Sequence, residues 1–379
     1  MQHRRKDRIR QVPVVAAVAA AVVAVGGAAW IFTTADDSRG ADGQAAHAPA
    51  ADPRIKCATR GQVPGSGSTA QQNAMKYWID QYQRACPRVQ IAYNPLGSTA
   101  GVAQYLTGAI AFGGSDRAVK PEEQTPYVCH GGHTINLPTV GGPIAVGYSL
   151  SGVDDLVLDA PTLAKIFDSR ITKWDDPAIR ALNPGVELPD LDIHTVHRSD
   201  GSGTTQNFTA YLATAAHKQW AYPVSNMWPG KGGNSANGSD SVASEVAGTQ
   251  GAIGYFELSF ATKSRIPTVR IDTGASRPVA PSPATASAGI ATAKVVGKGK
   301  DLALQLDYAT HNSNAYPIVL VTYEVVCDKG NQAATLPALK SFLAYTVSDA
   351  GQENLGAIHY APLPAAIAAR VREVIGTLS

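Results

Sequence analysis

Charge is scarce in this 379-residue chain: 16% of its residues are charged, with 32 basic against 30 acidic, for a net charge of +2. Five of the basic residues (Arg4, Arg5, Lys6, Arg8 and Arg10) face Asp7 alone among the first 35 residues. Removing that +4 leaves the remainder at −2, which argues against a nucleic-acid footprint, since that normally needs a basic face. A single buried anion needs only local positive potential and is not excluded. Cysteine is equally sparse, and none of Cys57, Cys86, Cys129 and Cys327 stands in a CxxC, which argues against a structural zinc site. Neither Gly230-Lys231-Gly232-Gly233 nor Gly297-Lys298-Gly299-Lys300 fits a P-loop, and no G-x-S-x-G surrounds Ser202. Gly65-Ser66-Gly67-Ser68-Thr69-Ala70 does fit G-x-G-x-x-A. The acid that a dinucleotide ribose requires at the end of the second strand is missing, however, with Tyr93-Asn94 in its place. No cofactor is expected, and no paired base or grouped His/Asp set marks an enzyme.

One long apolar run is present, Val12 to Phe32, directly after the basic cluster. A run of ~20 apolar residues spans a bilayer, and the basic flank orients it with the following chain outside. Residues 1–35 are therefore read as a membrane anchor or signal segment, with the uncleaved anchor favoured by the bulky exit Trp30-Ile31-Phe32. Residues 36–54, rich in Ala, Asp and Gly without periodicity, read as a tether. The four cysteines all follow the anchor, in an exported compartment where two disulfides form. Three connectivities are open. Cys57 and Cys86 bracket one strand–helix unit and are paired here, which leaves Cys129 for Cys327.

From Ile55 onward strands and helices alternate, implying an α/β fold with parallel strands. Thr69–Arg84 has helical spacing, Val89–Tyr93 alternates as a strand, Gly101–Thr107 reads as a short helix and Ala109–Gly113 as a buried strand. The β-rich stretches Thr139–Tyr148 and Tyr316–Val326 flank a large middle portion and are expected to form a two-strand hinge. The expected division is 55–140 for the first part of lobe 1, 141–310 for lobe 2 and 311–379 for the rest of lobe 1. Ala275–Lys300 is expected on the surface, and Ala338–Tyr345 and Ala365–Ile375 as helices.

The densest chemistry lies in Arg198-Ser199-Asp200-Gly201-Ser202-Gly203-Thr204-Thr205, ahead of a helix opening at Gln206. Alone, it is a Ser/Thr N-cap after a tight turn. Yet a cation, hydroxyls and glycine-freed N–H groups at a helix N-terminus also make an oxyanion socket. The pattern recurs in Gly65–Thr69, Gly97-Ser98-Thr99-Ala100-Gly101 and Gly113-Gly114-Ser115-Asp116. Strand-to-helix turns of this kind gather at the carboxyl edge of a sheet, where ligands bind. Asp116 beside an anion is repulsive unless the ligand brings a proton, which phosphate does and sulfate does not. Arg198 supplies the counter-charge with a planar fork, with Asp200 as its partner or a turn residue. His197 is read as structural because adjacent strand residues face opposite ways.

With Thr172-Lys173-Trp174-Asp175-Asp176, Phe208-Thr209, Gly251–Tyr255 and Tyr316-Pro317-Ile318 added to these turns, the chain resembles the phosphate-binding proteins of bacterial high-affinity phosphate ABC importers. The likeness spans Ile55 to Arg370. It implies a periplasmic-binding-protein-like α/β fold in which two lobes, joined by a two-strand hinge, close on phosphate in the cleft. Carried over by residue, it implies ligands from Thr69, the amide of Ala70, Ser98, Asp116, Arg198, Ser202, the amide of Gly203, and Thr204. Relatives often carry a bulky residue where Ala70 stands, and the family's lipid-attachment cysteine is missing. The implied protein is a non-enzymatic monomer on the outer face of the cytoplasmic membrane that delivers inorganic phosphate to permease subunits. The alternatives are a phosphate-ester hydrolase on the same socket, or a receptor for sulfate or molybdate, which Asp116 disfavours.

Overall fold

The computed structural model describes residues 51–125 and 127–379; the expected anchor at 1–35 and the tether up to residue 50 lie outside the described residues. Among the described residues no helix is long and apolar enough to cross a membrane.

The chain alternates from its first element, β1 (Gly61–Gly67). Helix α1 (Gln72–Ala85) buries Ala74, Met75, Trp78 and Tyr82, one face at the predicted spacing. Strand β2 (Val89–Asn94) points Val89 and Ile91 inward and alternate residues out. Helix α2 (Ser98–Leu106) begins three residues earlier than its apolar pattern suggested, which puts Ser98 in its first turn. Strand β3 covers Phe112–Ser115, later than the expected Ala109–Gly113, so Gly113 and Gly114 lie within the strand. Strand β4 (Thr134–Tyr148) is buried along its whole length.

The middle portion opens with β5 (Val157–Asp159) and α3 (Ala160–Phe167), whose Asp159 side chain caps it by accepting from the Thr162 amide. Then come α4 (Pro177–Leu182), β6 (His194–Arg198), α5 (Gly203–Ala215), β7 (Asn234–Ala236), α6 (Gly238–Gly248) and β8 (Ala252–Glu257). Helix α7 (Leu258–Ser264), β9 (Arg270–Asp272), α8 (Pro283–Ala291), β10 (Lys294–Val295) and β11 (Leu304–Gln305) complete it. The stretch Ala275–Lys300 is mostly exposed or half-buried, as expected of a surface segment, but it holds a helix that the sequence reading did not anticipate. A Ser282/Thr285 capping box starts α8, and its Ala286 and Ile290 are fully buried. The chain ends with β12 (Val319–Cys327), α9 (Leu336–Thr346), α10 (Asp349–Gln352) and α11 (Ala365–Gly376).

Eight strands make one sheet in the order β2-β1-β3-β12-β4-β8-β6-β7. β1 is parallel to β2 and β3, and β6 is parallel to β7 and β8; β12 and β4 run antiparallel to their neighbours. β4 pairs with β12 as far as Pro143 and with β8 from Ile144 onward, so one strand serves two α/β lobes. Beside that change of partner, the Ile144 amide donates to the Ile318 carbonyl at 2.7 Å, and the Tyr316 hydroxyl donates to the Ile144 carbonyl at 3.0 Å. These paired backbones are the two-strand hinge. Disulfides join Cys57 to Cys86 and Cys129 to Cys327, as paired from the sequence. The first ties the lead-in of β1 to the end of α1, and the second ties the loop after β3 to the end of β12.

Candidate functional site

The parallel strands of both lobes deliver their following helices N-terminus first to one place between the lobes. From lobe 1 come the turn after β1, the start of α2 and the residue after β3; from lobe 2 come the starts of α5 and α6. Cross-lobe hydrogen bonds tie them together. Ser239 of α6 and Thr69 share a hydroxyl contact of 2.9 Å, with the Ser239 amide donating to Thr69 Oγ1 at 3.1 Å. The Thr99 amide donates to the Gly201 carbonyl at 3.1 Å, and Asn226 Nδ2 to Thr99 Oγ1 at 2.8 Å. Asn207 Nδ2 donates to the Asp116 carbonyl at 2.7 Å.

Asp116 is 3% exposed and sits where the lobes meet. Its Oδ1 accepts from the Thr322 hydroxyl at 2.9 Å. Its Oδ2 is approached by Ser98 Oγ at 3.4 Å from its own lobe and by Thr204 Oγ1 at 3.3 Å from the other. Both contacts are long, leaving Oδ2 with acceptor capacity. Burial pushes this carboxyl upward, while hydrogen bonds from Ser68, Thr322 and Thr204 and the charge of Arg198 hold it back. Gly203 makes the approach possible: a Cβ there would lie 2.7 Å from both Asp116 Cβ and Ser98 Oγ.

Arg198, at the end of β6, is 2% exposed. Its Nε donates to Asp200 Oδ1 at 2.7 Å, and its Nη2 donates to Asp200 Oδ2, a two-pronged grip that fixes the guanidinium plane. Nη1 reaches Ser239 Oγ at 3.4 Å. Asp200 also accepts from the Gly238 amide at 3.0 Å. Against the upward push of burial, the Arg198 guanidinium holds Asp200 below the usual carboxylate range. Of the two roles open to Asp200, orienting Arg198 is the observed one.

The remaining predicted residues join the same locus. Ser202 caps α5 by accepting from the Thr205 amide at 3.2 Å, so its hydroxyl proton points elsewhere. The Ala70 amide donates to Ser68 Oγ at 3.0 Å, and Thr69 connects through Ser239 to Arg198. His197 is half-buried and stacks on Trp228 with ring centroids 5.1 Å apart; burial pushes its pKa down. Its Nδ1 lies 3.1 Å from the Arg198 carbonyl, a structural contact as expected.

Sequence reasoning missed Ser68, Ser239, Asn207 and Thr322. Ser239 had a visible signal, since Asn237-Gly238-Ser239 is one more glycine turn ahead of a helix. Thr322 and Glu324 had a subtler one: two polar residues, two apart, inside the otherwise apolar β12. Among the described residues no group of three or more His, Cys, Asp or Glu could hold a metal ion. The arrangement can take up a compact anion, with one cation and several hydroxyl and amide donors on it and one carboxylate that only a protonated ligand can satisfy.

A family model described as a PBP superfamily domain matches residues 52–350. The chain is 39% identical over 339 residues to phosphate-binding protein PstS 3 of Mycobacterium leprae, covering 88% of this chain and 91% of the relative. It is 39% identical to PstS 2 of Mycobacterium tuberculosis, covering 86% and 89%, and 32% identical to PstS of Xylella fastidiosa, covering 80% and 82%. Among solved structures, the phosphate-bound periplasmic phosphate-binding protein PfluDING superposes with a TM-score of 0.66 at 21% identity, covering 82% of this chain and 93% of that one. The phosphate-binding protein of Stenotrophomonas maltophilia superposes with a TM-score of 0.64 at 18% identity, covering 83% and 94%, and carries the same fold. With relatives matched over nearly their whole length, this chain belongs to the PstS phosphate-binding protein family of the PBP superfamily.

Proposed function

We propose that this protein is an exported, non-enzymatic receptor that captures inorganic phosphate between its lobes and delivers it to the permease subunits of an ABC importer. The observation that carries this reading is Asp116: a buried carboxylate with a spare acceptor position, facing Arg198 and the first turn of α5. Hydrogen phosphate donates its own proton to that position. Sulfate, fully ionised, leaves two acceptors face to face. An unmatched buried polar contact costs a few kcal/mol, and a site built to hydrogen-bond one ligand rejects an analogue that cannot by ~10⁴ or more.

The ligand set is Thr69, the Ala70 amide, Ser98 and Asp116 from lobe 1, with Arg198, Ser202, the Gly203 amide and Thr204 from lobe 2. Residues 55–140 and 311–379 act as one body and 141–310 as the other. Hinge closure brings the two half-sites together around the anion. The apolar run Val12–Phe32 tethers the receptor, as a monomer, to the outer face of the cytoplasmic membrane. Family membership and the cluster of donors around Arg198, with Asp116 as its acceptor, support this reading together.

Titration calorimetry with phosphate, arsenate and sulfate tests it: binding of the first two and rejection of sulfate is expected, and tight sulfate binding overturns it. A chromogenic phosphate ester incubated with the purified receptor should remain intact; turnover would favour a hydrolase on the same socket.

A further inference from the structure

Behind the turn Ser68-Thr69-Ala70 lie two carboxyls that the site does not use. Glu324 of β12 and Glu257 at the end of β8 are both 0% exposed. Neither Oε1 nor Oε2 of Glu324 has a hydrogen-bond partner, and neither does Oε1 of Glu257 or Oε1 of the neighbouring Gln71. Glu324 thus has no donor on either oxygen, and Glu257 has donors, both from Ser259, on Oε2 alone. A buried carboxylate with no cation and too few donors is among the costliest groups a fold can hold, so both sites call for a proton on the glutamate.

Beside each glutamate runs a polar chain that ends on a carbonyl of the same turn. Gln71, beside Glu324, donates through Nε2 to the Tyr93 hydroxyl at 2.8 Å, which donates to the Ser68 carbonyl at 2.9 Å. Gly114 leaves room for this crossing: a Cβ there would fall 2.0 Å from Gln71 Nε2 and 2.4 Å from the Tyr93 hydroxyl. On the other side, Glu257 Oε2 accepts from the Ser259 amide at 3.0 Å and from the Ser259 hydroxyl. Ser259 Oγ lies 3.3 Å from the Tyr360 hydroxyl, which donates to the Ala70 carbonyl at 2.5 Å.

We propose that Glu324 and Glu257 are neutral, proton-bearing positioning residues that hold the Ser68–Ala70 turn in shape for phosphate through Tyr93 and Tyr360. The inference rests on the phosphate reading above. Neutrality also serves Asp116. Charge on either glutamate opposes charge on Asp116, and of the three carboxyls Asp116 is the one whose charge Arg198 supports. The titratable groups whose charge reaches Glu324 are Asp116 after β3 and Tyr93 of β2, while β4 presents Leu137 and Thr139, which do not titrate. Glu257 is reached by Asp116 and contacts Ser259 and Tyr360. Burial, with the charge of Asp116 added, pushes each glutamate up to about 8. Protons are thus held through neutral pH and lost above it.

Phosphate affinity of the wild type and of the double variant Glu257→Gln/Glu324→Gln, measured by calorimetry from pH 6.5 to 9.5, tests this. The amides imitate the protonated acids, and the ligand's own titration cancels in the ratio of the two dissociation constants. Wild type and variant are expected to agree within threefold at pH 6.5, with the wild type weaker by tenfold or more at pH 9.5. A ratio that stays flat with pH, or a variant more than tenfold weaker at pH 6.5, overturns the inference. Tyr93→Phe and Tyr360→Phe remove only the relaying hydroxyls. Each should weaken binding about fivefold at pH 6.5, and unchanged affinity in both also overturns it. Absence of phosphate binding by the wild type at every pH would instead sink the phosphate reading.

Discussion

The two lobes meet the candidate site with opposite kinds of construction. Lobe 2 presents an ion pair at a strand end, Arg198 held by Asp200, and the capped first turn of α5. Apart from the Gly201 carbonyl, what it turns toward lobe 1 is donors and positive charge, and the geometry is largely local, within Arg198–Asn207 and Gly238–Ser239, with Asn226 added from farther along the chain. Lobe 1 presents the acceptor, Asp116, held by Thr322 from far away in sequence, and beside it the Ser68–Ala70 turn, whose carbonyls accept from the Tyr93 and Tyr360 hydroxyls. In the proposed receptor the local half-site supplies attraction to any oxyanion, and the distributed one selects the oxyanion that is matched.

The largest effect is expected from removing the local half's charge. Arg198→Ala also strands Asp200, and breaking a buried ion pair costs about 3–5 kcal/mol. With the whole of that cost falling on binding, the phosphate dissociation constant should rise by ~10²–10⁴ in calorimetry, at 1.4 kcal/mol per tenfold. Arg198→Lys should recover only part, because it keeps the charge without the fork. A loss under fivefold for the alanine variant would mean that attraction is shared more evenly between the lobes.

Next is the acceptor. Asp116→Asn is expected to weaken phosphate by about 10-fold to 100-fold, the value of a hydrogen bond to a charged group at ~1.5–3 kcal/mol. It should weaken discrimination against sulfate by more than that, since the amide is a donor that sulfate can use. Competition between the two anions reads out the ratio; an unchanged ratio would move selection away from Asp116.

The smallest effect should come from the rim contact between the halves. Asn226→Ala or Thr99→Ala deletes one neutral cross-lobe hydrogen bond, worth about 0.5–1.5 kcal/mol. Stopped-flow release of phosphate should quicken by ~2–10-fold with little change in the capture rate.

The same contrast explains what the sequence disclosed. The lobe 2 half was legible almost complete, since its parts are neighbours and glycine turns before a helix advertise themselves. Asp116 and Ser98 were legible for the same reason, and the disulfides followed from Cys57 and Cys86 bracketing one strand–helix unit. Thr322 and Glu324 were not, because Asp116, which both act on, lies more than 200 residues away and a strand buried on both faces shows no alternation against which to notice them. Helix α8 was hidden by composition: Ala, Pro and Ser are as common in surface segments as in a short helix, and only the Ser282/Thr285 pair marked its start. The N-terminal anchor lies outside the described residues.

The change of partner along β4 has a mechanical consequence. Between Pro143 and Ile144 the strand passes from β12 to β8 without a loop, and Ile144 and Ile318 remain hydrogen-bonded beside the junction. A pivot of that kind turns by twisting ribbons whose amides and carbonyls stay occupied at every angle. Capture and release can then cycle as elastic torsion of an intact sheet, with no step in which backbone must be unzipped to let the anion go.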